Sequence, residues 1–139
     1  MPDQIMSLEL KRLFLESVFL RLTLWAGLST RSFDIPPTLA TLTASEPKEA
    51  TGYARQIIQP ANWTIAEEPL RVESDIAVFR NGSENRWPAL ATWFLATSQG
   101  SDGVLLAWGT LQEQRYLMAQ DTLRVPISVI YPPEKGEGE

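Results

Sequence analysis

Residues 87–126 read WPALATWFLATSQGSDGVLLAWGTLQEQRYLMAQDTLRVP. Two apolar runs, Ala89–Ala96 and Val104–Leu111, flank the polar loop Ser98-Gln-Gly-Ser-Asp-Gly103. A second polar interval leads to a third run at Leu123–Ile130. Short apolar runs bounded by Gly, Ser and Asp are strands delimited by turns, and three in succession predict an antiparallel meander. No helix start follows Gly82 or Asp102-Gly103, so these glycines belong to turns and not to a phosphate-cradling loop.

Downstream, Ile127–Tyr131 extends the last strand, and the Pro-, Glu- and Gly-rich residues 132–139 read as a flexible, solvated acidic tail. Upstream, Asn81-Gly82 is a strong turn dipeptide, because both residues tolerate positive φ. Before it, Leu70–Phe79 alternates with Val72, Ser74, Ile76 and Val78 on one face, as a strand should. Tyr53–Ile58 is a short strand closed by Pro60, and Trp63–Ile65 a brief one. Residues Ser29 to Gly52 are polar and broken by Pro36, Pro37 and Pro47, which predicts a long irregular loop of the kind used for function or partner contact.

At the N-terminus the period is that of a helix, from Asp3 to about Ser17. Met6, Leu10, Leu13, Phe14 and Ser17 recur at three and four, while Glu9, Lys11, Arg12 and Glu16 cover much of the other side. The pattern then changes to a period of two over Val18–Leu28. Leu20, Leu22, Leu24, Ala26 and Leu28 share one face, with Arg21, Thr23 and Trp25 on the other. The expected fold is therefore mainly β: an antiparallel β-sandwich, with jelly-roll-like connections among its options, and one N-terminal amphipathic helix. A single domain spans residues 1–131.

A chain of 139 residues suits one domain and typically buries roughly 70% of its unfolded surface. The formal charge of −5 comes without any Lys/Arg cluster, which argues against nucleic acid or a membrane surface as partner. The sequence holds no histidine and no cysteine. Cysteine nucleophiles, Ser-His-Asp triads, zinc-finger spacings and disulfides are thereby excluded. The apolar run Val18–Leu28 contains Arg21 and is too short for a bilayer span, and the acidic start Met-Pro-Asp-Gln lacks the basic region of a secretory signal. The expectation is a soluble protein with no cofactor and no metal.

Chemistry-bearing residues are few. Glu67, Glu68, Asp75, Glu84 and Asp102 lie in polar stretches or turns, where solvated surface explains them better than a glycosidase pair. Trp93 and Trp108 sit inside apolar runs and are expected in the core. Trp63, Trp87 and Tyr116 are the candidates for stacking on a sugar. Trp25, opposite the leucines of its strand, is either covered by the N-terminal helix or exposed at a subunit contact. Asn62-Trp-Thr64 and Asn81-Gly-Ser83 match the glycosylation pattern, but such tripeptides are common by chance. The helix carries more apolar surface than one sheet edge needs, so part of it is expected to dock on a neighbouring copy or another protein. The expected contacts are Leu10, Leu13 and Phe14 of the helix, Trp25, and Phe33 and Ile35 of the long loop.

Five phrases in order also resemble a family of small tailed-bacteriophage virion structural proteins, often described as tail-fibre-like. They are Leu24-Trp-Ala-Gly-Leu-Ser-Thr30, Gly52-Tyr-Ala-Arg-Gln56, Trp87-Pro-Ala-Leu-Ala-Thr-Trp-Phe-Leu95 with its Gly-rich hairpin, Leu105-Leu-Ala-Trp-Gly-Thr-Leu111, and Asp121-Thr-Leu123. Gln120 departs from the family's usual glycine, Thr92 from a common histidine and Pro88 from a small residue. The resemblance implies a non-enzymatic, oligomeric part of the phage particle, made in the host cytoplasm and carried on the virion's outer surface. It would act as capsid cement or decoration, or as a tail-fibre or baseplate-associated subunit. Its partners would be itself, a trimer being one arrangement, and the major capsid protein or tail and baseplate proteins. A carbohydrate-binding module for host glycans is the alternative reading.

Overall fold

The computed structural model describes residues 7–47, 52–100 and 102–130, with backbone alone for 112–115. The expected tail at 132–139 and the helix start at 3–6 lie outside the described residues. The chain forms helix α1 (Leu8–Phe19), strand β1 (Leu24–Ser29), short helix α2 (Leu39–Ala44), β2 (Gln56–Ile58), a 3-10 turn at Pro60–Asn62, β3 (Thr64–Ala66), β4 (Arg71–Arg80), β5 (Trp87–Ala96), β6 (Leu105–Leu117) and β7 (Thr122–Ile130). It is mainly β, as expected, with antiparallel strands throughout. One sheet has the order β2-β1-β5-β6, the other β3-β4-β7.

The core lies between the sheets. Leu24, Ala26, Leu28, Leu90 and Leu95 of the first sheet meet Val72, Ala77, Phe79, Val125 and Ile127 of the second, all buried. This is the sandwich the alternating patterns predict. The meander is not: β5 and β6 form a hairpin, but β7 leaves β6 and pairs with β4 in the other sheet. Nor does Asn81-Gly82 turn a hairpin, since β4 and β5 belong to different sheets. Instead, residues 81–86 and 118–121 both cross between the sheets and are tied together. The Asn81 N–H donates to the Asp121 carbonyl at 2.9 Å, and the Gln120 N–H to the Asn81 carbonyl at 2.7 Å. The fully buried Asn81 side chain donates to the Asn85 and Leu117 carbonyls and accepts from the Ser83 N–H and hydroxyl. Burial of Asn81 removes Asn81-Gly-Ser83 as a glycosylation site.

Two further departures have local causes. Between Ser74↔Ile127 and Ala77↔Val125, β4 carries one more residue than β7, a β-bulge at Asp75-Ile76. The bulge reverses the faces beyond it. Ile76, expected on the same face as the buried Val72, is 39% exposed, while Ala77 and Phe79 turn into the core. At the N-terminus, α1 starts on Ser7, whose hydroxyl accepts from the Leu10 N–H, and runs two residues past its expected end. Helical hydrogen bonds continue from Leu20 N–H to Glu16 and from Leu22 N–H to Val18, so β1 begins at Leu24 and Leu20 and Leu22 remain exposed.

Residues 29–47, the described part of the long segment, are also more ordered than their composition predicts. Thr38 caps α2 by accepting from the Thr41 N–H, and the segment lies across the outer face of the first sheet. There Leu39 and Leu42 form a second small core with Phe94 and Ala96, joined by Phe33, Leu105 and Trp108. Glycines seat the rings of β5 on both faces. A Cβ at Gly27 would lie 2.3 Å from the Phe94 ring, and one at Gly109 would lie 2.7 Å from the Trp93 indole.

Candidate interaction surface

Helix α1 is apolar on two sides. Its inner residues Leu15 and Phe19 enter the sandwich core, where Phe19 meets Trp63 edge-on with ring centroids 4.9 Å apart. Arg12 ties the helix to the β3–β4 turn through Glu67 at 2.7 Å and to its own Glu16 at 3.2 Å. The outer face carries Leu10, Leu13 and Phe14, exposed by 40%, 58% and 45%. One apolar side of the helix is buried in its own domain, and the other faces outward. Along its flank, Phe14, Leu15, Val18 and Phe19 with Leu106 of β6 and Val129 of β7 line an apolar groove of about 290 Å³.

The other expected contact residues lie elsewhere. Trp25 is half-buried and pairs across to Ile57 and Ala96 on the outer face of the first sheet, so α1 does not cover it. Phe33 packs edge-on to Trp108 at 6.4 Å, under the Arg31 guanidinium at 5.0 Å, and is half-buried in the second core. Ile35 projects into solvent, 74% exposed. The structure therefore separates Leu10, Leu13 and Phe14 on α1 from Trp25 on the outer sheet face and from Phe33 and Ile35 in the segment after β1.

The tryptophans are redistributed relative to expectation. Trp63 and Trp87, proposed for sugar stacking, are buried at 5% and 1% exposure, whereas Trp93 and Trp108, expected as core, are only partly buried and lie on opposite faces of the first sheet. Tyr116 is half exposed, with the Arg86 guanidinium 4.2 Å above its ring. Of the carboxylates weighed in the sequence, Glu67 is held by Arg12 and Asp102 accepts from the Ser98 hydroxyl, while Glu68, Asp75 and Glu84 are exposed. Among the described residues no group of three or more His, Cys, Asp or Glu is placed to hold a metal ion.

A buried ion pair was not among the sites expected from the sequence, where Arg55 appears only within the phrase Gly52-Tyr-Ala-Arg-Gln56. Arg55, with its side chain 2% exposed, meets Glu46 in a bidentate pair, Nε to Oε2 and Nη2 to Oε1, both 2.9 Å. Nη2 also donates to the Thr43 hydroxyl, and Nη1 to the carbonyls of Ser98 and Gly100. The guanidinium stands 5.0 Å over the Phe94 ring. The Tyr53 hydroxyl donates to Glu46 Oε2 at 2.5 Å and accepts from the Leu28 N–H at 2.9 Å. Burial, then the charge and hydrogen bond of Glu46, push the Tyr53 phenol well above its usual range. For Arg55, burial acts to lower the pKa, but the hydrogen bond and charge of Glu46 outweigh it and hold the value above normal.

This cluster borders a cavity of about 670 Å³ yet offers it no free guanidinium donor, since all five N–H groups are taken. It acts as a clamp joining the α2 segment, the approach to β2 and the β5–β6 loop. The sequence signal for it was the phrase Gly52-Tyr-Ala-Arg, where Tyr and Arg stand two apart beside a short strand. The remote partner Glu46 has no such signal. No helix among the described residues is long and apolar enough to cross a membrane. Comparison with known proteins found no matching family model, no matching curated protein and no matching solved structure.

Proposed function

We propose that this protein is a non-catalytic structural component of a tailed-bacteriophage virion. It acts as a capsid cement or decoration protein, or as a tail-fibre or baseplate-associated subunit, through contacts with its own copies and with capsid or tail proteins. The observation that carries this reading is the outward apolar face of α1, where Leu13 is more than half exposed on a helix already packed by its other side. Such a face stabilises an assembly and penalises an isolated chain. Trp25 of β1 and Ile35 of the segment after it are also exposed in part and offer contacts apart from α1. The resemblance of the five ordered phrases to small virion proteins supports the same reading.

The test is co-sedimentation. The purified chain is expected to self-associate and to travel with tailed-phage capsids or tails through a density gradient. A chain that does neither overturns the proposal.

A further inference from the structure

The exposed residues of α1 have a spacing that selects a partner. Leu10, Leu13, Ser17 and Leu20 follow one another by three, four and three, which is the a/d repeat of helices that interdigitate side by side. The seam points away from the buried Leu15 and Phe19, and its leucines are 40%, 58% and 37% exposed. The Leu22 N–H still bonds to the Val18 carbonyl, so the helical path carries the seam through Leu20 and Arg21.

Charge fixes the direction. Glu9 and Glu16 flank the seam on one side, Glu16 also meeting Arg12 of its own helix through one oxygen at 3.2 Å, while Arg21 and Phe14 flank it on the other. Antiparallel neighbours would bring the acidic flank of one helix onto the acidic flank of the next. Parallel neighbours instead place Glu16 of one copy, five residues before Arg21 of the partner subunit, at the position where such helices form flanking ion pairs. We propose that α1 is the self-association element of this chain, packing in parallel against the α1 of a second copy about a rotational axis, with Leu10, Leu13, Ser17 and Leu20 as the seam. This rests on the oligomeric reading above and names its contact. A seam of two to three turns is far smaller than a standard interface of roughly 1,600 Å². Pairing is therefore weak in free solution and strengthened where a particle holds many copies together.

The full chain contains no cysteine, so a single introduced thiol reports the geometry without interference. In a parallel pair the two copies of Ser17 lie level, and Ser17→Cys is expected to form an intermolecular disulfide under mild oxidation. Leu13→Glu in the same chain should abolish that cross-link, with the thermal unfolding of both variants matching the wild type. Sedimentation of the wild type over about 10 µM to 1 mM should show association, weakened at least tenfold by Leu13→Glu and several-fold by Arg21→Glu at low salt. Absence of the Ser17→Cys cross-link overturns the proposal, as does a cross-link indifferent to Leu13→Glu. Preferential disulfide formation between a Leu10→Cys chain and a Leu20→Cys chain, which only antiparallel packing sets level, also overturns it. If Leu13→Glu abolishes particle binding while the wild type stays monomeric, α1 docks on another virion protein and self-pairing is wrong. A chain that cross-links as expected but never accompanies particles leaves the pairing standing and removes the virion reading instead.

Discussion

The two ends of the β5–β6 hairpin are each fastened by one buried polar side chain, and the two fasteners differ in charge. At the loop end, Arg55 reaches the carbonyls of Ser98 and Gly100 while its other donors hold Glu46 and Thr43. At the opposite end, Asn81 holds the Leu117 and Asn85 carbonyls and its own crossing loop. The ionic clamp gathers three segments of the chain, because a guanidinium has five donors in a fixed fork. Its cost is the desolvation of two ions, which only their mutual pairing offsets. The amide reaches fewer groups and carries no charge into the interior. The ionic end should therefore fail harder when one partner is removed, and recover when both are removed.

Arg55→Met should give the largest loss, about 3–5 kcal/mol in urea unfolding, because Glu46 is left as an unpaired buried carboxylate. Adding Glu46→Leu to that variant should restore most of it, and a double variant no better than the single one would show that the hydrogen bonds and not the charges carry the clamp. Asn81→Ala comes next. It removes the Asn81 partner of the Leu117 carbonyl and the Ser83 N–H and leaves the Asn85 carbonyl only the Ser83 hydroxyl, for about 2–3 kcal/mol. Between the two ends, Gly27→Ala tests the hairpin's packing alone. Its methyl would overlap the Phe94 ring, costing about 1–3 kcal/mol with no dependence on pH or salt.

What the sequence disclosed of this follows from the range of the forces involved. Strand alternation is a local property, so β1, β4, β5, β6 and β7 were legible, and so was the sandwich that five half-buried strands require. The pairing partner of β7 was not, because Leu123, Val125 and Ile127 face the same core whether β7 joins β6 or β4. The bulge at Asp75-Ile76 was hidden for a related reason: an unbroken alternation through Val78 fits the residue types equally well. Asn81 reads as a turn former in sequence, and its burial depends on two crossing segments meeting there. The α1 face was legible as a surplus of leucines, although only the structure shows that Leu15 and Phe19 turn inward and that Leu10 and Leu13 do not. The Arg55–Glu46 pair joins residues whose meeting depends on residues 29–47 folding back over the first sheet.

The smallest expected effect separates the two ends by their response to base. Tyr53 donates to Glu46 from inside the clamp, and its folded-state pKa is raised by burial first and by the Glu46 charge second, against an ordinary value near 10.0. Below pH 10 both folded and unfolded states keep the phenolic proton, and the interaction contributes fully. Above it the unfolded chain releases the proton while the folded one retains it, so stability falls by up to about 1.4 kcal/mol per pH unit from this group alone. Tyr53→Phe removes that titration. At pH 7 it should cost about 1–2 kcal/mol, because the Leu28 N–H and Glu46 lose a partner. Between pH 10 and 11.5 the gap between the variant and the wild type should narrow, since only the wild type pays for keeping the phenol protonated. Asn81→Ala, at the neutral end, should retain the wild-type alkaline slope. Chemical denaturation at stepped pH reads both, and parallel curves for Tyr53→Phe and wild type would mean that the phenol ionises as readily folded as unfolded, which the Glu46 contact forbids.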